Sequence, residues 1–255
     1  MLKSNYNGIT IDLTTTVKTP SHQQSSHSDS LRFKMNLCVG EVEAAFANNI
    51  LNIEGTEAAD QFTKYLVLMH QIIRASLPLM EEALLVATAR KDKDDICKHL
   101  IDYFRQHIID EANHDLWILE DFESAGFDSS LVLRNNPLPN VAAMVGAQYY
   151  WIKHAHPLAL LGYISFLESY PPSTSLINRL HLKTGLKLSI FRTLSKHGEL
   201  DPNHREDIWR LIDSLPLSDS DAALMAMSAF HTGKKFADCI NHLNMINPVL
   251  SRPTN

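Results

Sequence analysis

The chain has 255 residues, of which 45% are hydrophobic and 20% are charged, so it is long enough to bury a substantial core. Its formal net charge of −6 at pH 7 argues against a nucleic-acid partner. No apolar stretch approaches the roughly 20 residues that cross a bilayer, and the N-terminus lacks a signal-peptide core, so we expect a cytoplasmic protein with no membrane partner.

The first segment, residues 1–36, is a polar arm that includes the run SHQQSSHSDS and is predicted to be partly flexible. Within it, Ile9–Val17 predicts a short strand or an extended segment. Strand signals are otherwise nearly absent, so residues 37–255 are predicted to form one all-α domain, a multi-helix bundle. Its predicted helices are Glu41–Leu51, Glu57–Ile73, Pro78–Ala89, Lys93–Ser124, Val141–His154, Pro157–Ser169, Ser175–Lys183, Gly185–Lys196, Pro202–Ser214 and Ser218–Asn244.

The Lys93–Ser124 segment contains Glu111 and His114, an E-x-x-H pair of the kind that helices use in carboxylate-bridged di-metal bundles. A buried carboxylate is costly unless it is paired or bound to metal. In one interpretation, Glu111 lies at the centre of a single helical stripe that faces the core and consists of Leu100, Phe104, His107, Glu111, His114, Ile118 and Phe122. In the alternative interpretation, the residues that face the core are Ile101, Ile108, Ala112 and Leu119, and Glu111 lies near the edge of that face.

Glu168 is the only acidic residue between Asp128 and Glu199. It follows the almost wholly apolar run PLALLGYISFLESY, which predicts a buried helix with Glu168 pointing into the protein. A carboxylate that bridges metal ions would explain its position. The alternative is a helix-end carboxylate that reaches solvent beside Pro171 and Pro172.

The third segment carries His197, Asp201 and His204 at i, i+4 and i+7, a spacing that places three ligand side chains on one face of a helix. Gly198 and Pro202 both disfavour an uninterrupted helix. Asp201 is therefore also a candidate N-cap for a new helix that begins at Pro202.

Together these segments predict a metal centre with three carboxylates and three imidazoles: Glu111, His114, Glu168, His197, Asp201 and His204. Mixed nitrogen and oxygen ligands with open positions favour two Fe(II) ions, with manganese as an alternative, over a closed structural zinc site. Ferrous ions supply electrons for the reduction of O2. This composition therefore predicts an O2-dependent oxidoreductase.

The order E-x-x-H, a lone Glu and H-x-x-x-D-x-x-H resembles the haem-oxygenase-like di-iron oxidase family. The stretch GAQYYWIKHAHPLALLGYISFLE, which ends at Glu168, and the stretch TLSKHGELDPNH, which ends at His204, also look like family sequence. The resemblance implies a haem-oxygenase-like helical fold and a labile di-iron centre. It also implies oxidative cleavage, decarboxylation, desaturation or N-oxygenation of an amino-acid-like or fatty-acid-like metabolite.

Five further residues are candidates for the surroundings of this centre. Lys153 and Arg192 are the cations that a substrate carboxylate would need, and Tyr149 and His154 are candidates for a substrate pocket. His107 lies one turn before Glu111, where it would support a ligand or replace one. The expected partners are a small-molecule substrate and O2, and a homodimer is left open.

Two other interpretations keep a helical scaffold without metal. One is a thiaminase-type enzyme, in which Cys97 is the candidate nucleophile, or a cofactorless oxidase of the same fold. The other is a non-enzymatic ligand-binding protein whose histidines are satisfied in the core. Cys38, Cys97 and Cys239 form no C-x-x-C pair, which fits structural thiols in a reducing compartment.

Overall fold

The computed structural model describes residues 26–250 and the backbone of two short strands, β1 (Asn5–Tyr6) and β2 (Ile9–Thr10). These strands pair antiparallel, with Tyr6 opposite Ile9. The remainder of the predicted Ile9–Val17 segment lies outside the described residues. The predicted all-α fold is confirmed. The α-helices are α1 (His27–Phe46), α2 (Gly55–Arg90), α3 (Asp95–Asp110), α4 (His114–Ala125), α5 (Ser130–Leu133), α6 (Pro139–His154), α7 (Ala159–Glu168), α8 (Thr174–Thr184), α9 (Arg192–Ser214) and α10 (Asp219–Asn241).

Helix α1 begins at His27, ten residues before the predicted start of the helical domain at residue 37. The Ser26 side chain caps this helix by accepting from the Asp29 backbone N–H. Leu31 and Met35 are buried, and Ser28 hydrogen-bonds Asp213 of α9 through its backbone N–H at 2.8 Å and its hydroxyl at 2.7 Å. The helix therefore belongs to the folded core, and it continues through a π-helical turn at Ala47–Leu51.

Helix α2 is one element of 36 residues, so the prediction of two helices, Glu57–Ile73 and Pro78–Ala89, is wrong. Pro78 lies inside it, although proline removes one helical hydrogen bond. Leu79 and Met80 beside it are fully buried. Since α2 packs against α3, α4, α6 and α8, burial on several sides outweighs the local cost.

The predicted helix Lys93–Ser124 is also wrong as a single element, because the chain breaks between α3 and α4. Asn113 has φ 67°, in the left-handed region that asparagine tolerates better than most residues. Glu111 follows the last residue of α3, and His114 is the first residue of α4.

Helix α9 is continuous over 23 residues and has Pro202 inside it. Asp201 is therefore not an N-cap, and the interpretation that a new helix starts at Pro202 is wrong. The predicted helix Gly185–Lys196 is replaced by a 3-10 turn at Leu188–Phe191, which leads directly into α9. His197, Asp201 and His204 consequently share one face of one helix.

Helices α1, α7 and α10 pack closely against one another at two glycines, where there is no room for a side chain. A Cβ atom on Gly162 of α7 would overlap the Met225 carbonyl oxygen of α10. On Gly233 of α10, it would lie 2.5 Å from Cys38 Sγ and 2.6 Å from the Phe166 ring. This packing fixes α7, which ends at Glu168, against the core. Among the described helices, none combines the length and the hydropathy of a membrane span.

Candidate metal centre

Three chain segments bring the predicted ligands together in the interior. His107 lies in the last turn of α3, and Glu111 and His114 flank the break between α3 and α4. Glu168 is the last residue of α7. His197, Asp201 and His204 enter from α9. The helix break at Asn113 therefore turns Glu111 and His114 toward the same space, although they do not share a helix.

The ligand atoms form two groups that share one residue. His107, Glu111, Glu168 and His204 offer atoms within 4.8 Å of one another, and so do Glu111, His114 and His197. Ligand atoms bound at about 2.0 to 2.2 Å to one transition-metal ion lie at most about 4.4 Å apart, so each group needs only a small contraction to hold an ion. Five of the six predicted ligands and His107 belong to these groups.

Glu111 is the shared carboxylate. Its Oε2 lies 3.0 Å from His114 Nδ1, and its Oε1 lies 3.5 Å from His204 Nδ1. Its two oxygens thus face opposite halves of the site, as a bridging carboxylate requires. Glu168 lies in only one group, where its Oε1 is 2.8 Å from His107 Nε2, and its role as a bridging carboxylate stays a prediction.

Unpartnered polar atoms inside the site support its fit to metal. His114 Nδ1, His204 Nδ1 and Glu168 Oε2 are buried without a hydrogen-bond partner. His114 Nδ1 lies close to Glu111 Oε2 but is not aligned for a hydrogen bond. Buried polar atoms rarely go unpaired, whereas ligands of a common ion have this arrangement. The donor set of imidazoles and carboxylates suits iron.

His197 is oriented by a chain of hydrogen bonds that reaches the protein surface. Its Nδ1 lies 3.0 Å from the Thr193 carbonyl oxygen, so the Nδ1–H donates there and Nε2 keeps its lone pair for a metal. The Thr193 backbone N–H and hydroxyl donate to Asp121 Oδ2 at 2.7 and 2.6 Å. Arg192 Nε donates to Asp121 Oδ1 at 2.8 Å.

Charge and burial shift the pKa values of the ligands in different directions. Burial raises the pKa of Glu111, but the close contact with His114 and the imidazoles of His107 and His197 outweigh burial and lower it. Burial lowers the pKa of His107, but its hydrogen bond with Glu168 and the nearby carboxylates raise it overall. For His197 burial prevails and the pKa is lowered, which favours the neutral imidazole that binds metal.

Asp201 lies outside both ligand groups but faces the same cavity. It is only 5% exposed, and burial together with the charges of Glu168 and Glu111 raises its pKa to about 8. In the absence of a cation, burial and these charges favour the protonated form of this carboxyl. Its role as a ligand stays a prediction.

The remaining sequence candidates lie away from the ligands. Tyr149, Lys153 and His154 are on α6, and none of them lines the cavity beside the centre. The Lys153 ammonium lies 3.4 Å from Glu82, and His154 is exposed. Arg192 points to Glu120 and Asp121 instead of the cavity. None of these four residues lines the cavity, and the roles given to them stay predictions, whereas His107 lies within the site.

Two aromatic residues beside the ligands were not predicted. Trp117 stacks on the His114 ring at 3.8 Å between centroids, and Lys196 Nζ lies 3.8 Å from the Trp117 centroid. Tyr103 stacks on His107 at 5.2 Å. Trp117 is one turn after His114 and Tyr103 one turn before His107, so helical spacing around the predicted ligands was the available signal.

A cavity of about 320 Å³ adjoins the metal centre. His107, Glu111, Glu168, His197 and Asp201 form one part of its wall, and most of the remainder is aliphatic or aromatic. Pro172 passes over α9 beside the ligands, where a Cβ on Gly198 would lie 2.6 Å from its carbonyl oxygen. Gly198, which disfavours helix in isolation, is thus explained by this close approach.

The Cys97 thiol belongs to a separate cluster with Asp94 and His156. Burial and the Asp94 charge raise the pKa of Cys97 to about 12, so the thiol stays protonated. His156 Nδ1 accepts from the Leu158 backbone N–H at 3.0 Å, which leaves the proton on Nε2, where it is donated to Asp94 at 2.7 Å. His156 therefore has no free nitrogen to activate Cys97 or to bind a metal.

Comparisons with known proteins agree with this fold and site. Residues 63–233 match the family model described as iron-containing redox enzymes. A domain of unknown function with a haem oxygenase-like fold from Shewanella denitrificans superposes with TM-score 0.65 at 17% identity, over 84% of this chain and 89% of that one. A TenA homologue from Pseudomonas syringae pv. tomato gives 0.57 at 10% identity, over 82% and 91%. No curated protein matches the chain. The predicted haem-oxygenase-like fold is confirmed.

Proposed function

The chain belongs to the family of iron-containing redox enzymes, and we propose that it is a non-haem di-iron oxidase that uses O2 to oxidise a small organic substrate. The observation that carries the proposal is the position of Glu111, whose two oxygens face two separate groups of ligands. One ion would be held by Glu111, His114 and His197. The other would be held by His107, Glu111, Glu168 and His204.

When bound, two iron ions would supply the electrons for the reduction of O2. The protein contributes the surroundings of that chemistry. Thr193 holds the His197 ring through its Nδ1, and Trp117 covers the His114 ring, so both imidazoles are fixed before metal arrives. The apolar cavity wall excludes water from the space where substrate would lie.

Asp201 is the proton carrier at this space. Its carboxyl holds a proton in the metal-free protein because burial and the neighbouring carboxylates oppose its charge. Cations held beside it would favour the charged form of this carboxyl.

The proposal is tested by loading the protein anaerobically with Fe(II) and then measuring O2 uptake with an oxygen electrode. We expect rapid, iron-dependent uptake by the wild type and its loss in Glu111→Gln. The matched control is His154→Ala, which removes an exposed histidine outside the site and should consume O2 as the wild type does. Equal uptake by Glu111→Gln and wild type would contradict the proposal.

A metal-free thiaminase-type reaction is the second candidate, since a TenA homologue shares the fold. Its nucleophile would have to be Cys97, whose thiol has a pKa of about 12 and lies outside the residues that line the cavity. Cys97→Ala should therefore leave iron-dependent O2 uptake within about twofold of the wild-type rate, whereas a thiol-based reaction would be abolished.

A further inference from the structure

Helix α1 carries apolar residues on two opposite faces. Its inner face packs into the core through Leu31 and Met35, which are fully buried. Its outer face has a second apolar stripe, which we call the outer stripe and which consists of Phe33, Leu37, Gly40 and Ala44. These four residues stand at i, i+4, i+7 and i+11, and all of them are exposed. Since the outer face of a surface helix is normally polar, the outer stripe indicates a contact surface.

The two large side chains of the outer stripe are the most open to solvent. Phe33 is 68% exposed and Leu37 is 64% exposed. Helix α10 packs against α1 and widens this surface with Met227 and Phe230, which are 49% and 42% exposed. Two contacts show that the two helices run parallel: Glu41 with Lys234, and Asn49 with Asn241 at 3.0 Å. Phe230 precedes its pair by one turn as Leu37 does, so the two side chains lie at the same level of the two helices.

The outer stripe has a bulky half followed by a small half. Phe33 and Leu37 come first, then Gly40 and Ala44, and a Cβ added to Gly40 meets no atom within 4 Å. In an antiparallel pair of α1 helices related by a two-fold axis, Phe33 faces Ala44 of the second copy. Leu37 faces Gly40 of the second copy, because both pairs have the same midpoint on α1. Each bulky side chain therefore meets a small one, as interdigitating helices require.

The charges beside the outer stripe are also complementary to themselves. Arg32 and Lys34 flank its bulky half, whereas Glu41 and Glu43 flank its small half. Arg32 and Glu43 are eleven residues apart and Lys34 and Glu41 are seven apart, so each pair shares one side of the helix. The antiparallel arrangement brings each cation to a carboxylate of the second copy, whereas a parallel one would bring like charges together.

Two of these four charges already have exposed partners in their own chain: Arg32 with Asp29, and Glu41 with Lys234. Exposed ion pairs contribute little, so exchanging them for pairs with a second copy costs little. The electrostatic part of the contact therefore sets its direction more than its strength.

We propose that the outer stripe is the interface of a homodimer, in which α1 packs antiparallel against α1 of a second copy of this chain. Met227 and Phe230 extend the contact at both of its ends. The occupant is a second copy because both the shape and the charge of this face complement themselves under a two-fold axis. The inference does not rest on the metal centre, and it is tested separately from it.

The proposal is tested by analytical ultracentrifugation of the full-length protein, chelator-treated and, in a second sample, loaded anaerobically with Fe(II). At about 50 μM, above the Kd of a specific dimer, the wild type should sediment as a dimer in both samples. Leu37→Glu places a charge at the centre of the outer stripe and should sediment as a monomer. Leu182→Glu is the matched control, because Leu182 is 81% exposed on α8, outside the stripe, so this variant should stay dimeric.

A monomeric wild type or a dimeric Leu37→Glu variant would overturn the proposal. Dimerisation only after removal of residues 1–25 would also overturn it and would assign the outer stripe to that segment of the chain. Circular dichroism of each variant shows whether the helices are intact, so a loss of dimer is distinguished from a loss of fold.

The antiparallel register is tested by two further changes, with Kd measured by sedimentation equilibrium. Gly40→Leu meets no neighbour at its Cβ within the chain but opposes Leu37 of the second copy, so Kd should rise at least about tenfold. Lys34→Glu should also weaken the dimer, and adding Glu41→Lys should restore Kd to within about threefold of the wild type. A double variant no tighter than Lys34→Glu, or an unchanged Kd in Gly40→Leu, would rule out this register.

Discussion

Glu111 is the residue on which the two halves of the site depend. Its E-x-x-H spacing with His114 identifies it in the sequence, but its position between the two ligand groups follows from the helix break at Asn113, which the sequence does not predict. The sequence identifies Glu168 as a candidate ligand because it is an isolated acid after an apolar run. Its hydrogen bond to His107 depends on where α7 ends relative to α3, which local spacing does not encode.

Removal of Glu111 should affect both metal positions, whereas removal of His114 should affect one. After anaerobic loading and desalting, we expect Glu111→Gln to retain almost no iron and His114→Ala to retain about half of the wild-type content, since the group with His107, Glu168 and His204 stays intact. Iron is measured by colorimetric chelation. Loss of the same amount of iron in both variants would contradict the shared carboxylate.

The raised pKa of Asp201 predicts a pH dependence of stability in the metal-free protein. Its carboxyl titrates near 3.8 when unfolded but at about 8 when folded, so the unfolded state ionises first. The stabilisation is complete below the unfolded value and is lost as pH rises toward 8. Asp201→Asn lacks this titration. As pH rises, its free energy of unfolding should therefore fall by at least about 1.4 kcal/mol less than that of the wild type, a difference equivalent to one pKa unit.

This dependence is measured by urea unfolding of chelator-treated wild type and Asp201→Asn between pH 5 and about 8.5, bracketing the titration. The wild type should lose more unfolding free energy across this range than the variant. His107, whose pKa is also raised, contributes in the same direction in both proteins, so the difference between them reports Asp201 and its coupling to the neighbouring charges. Parallel pH profiles would refute the burial of a proton at Asp201.

At the scale of elements, hydrophobic spacing predicted the central parts of most helices but failed at their boundaries. The sequence predicts that helices start at Pro78 and Pro202, but both prolines lie inside continuous helices that pack against their neighbours. The break at Asn113 was missed because asparagine gives a weak stop signal compared with glycine or proline. Tertiary packing decides these cases, and a single sequence does not display it.

Helix packing around Gly162 gives a prediction about stability. Gly162→Ala places a methyl group against the α10 backbone at Met225, which cannot move aside as a side chain can. We expect the free energy of unfolding to fall by at least about 2 kcal/mol. Because α7 ends at Glu168, bound iron should also decrease.

Gly146→Ala is the matched control, since Gly146 is an exposed position inside α6 and an added Cβ meets no atom within 4 Å. It should stabilise the protein by about 0.5 to 1 kcal/mol through helix propensity. Thermal or urea unfolding of both variants provides the comparison. Equal stabilities for the two would show that the α7–α10 contact is looser than described.

At the scale of the whole molecule, α3, α4, α7 and α9 bring the candidate ligands together, and a largely apolar cavity beside them is also lined by residues of α1. The order of ligand motifs predicted the fold, and the comparisons confirm it. The sequence does not predict the cavity, nor that the described residues of its wall include no lysine or arginine. It assigns pocket roles to Lys153 and Arg192 instead. Cytoplasmic location and a homodimer stay predictions.

The most direct test of the central claim is anaerobic Fe(II) titration of the metal-free protein followed by Mössbauer spectroscopy of the loaded sample. We predict saturation at two irons per chain and two ferrous signals of equal area, because the two ligand groups differ in composition but share Glu111. Saturation at one iron per chain, or no specific uptake, would contradict a di-iron centre.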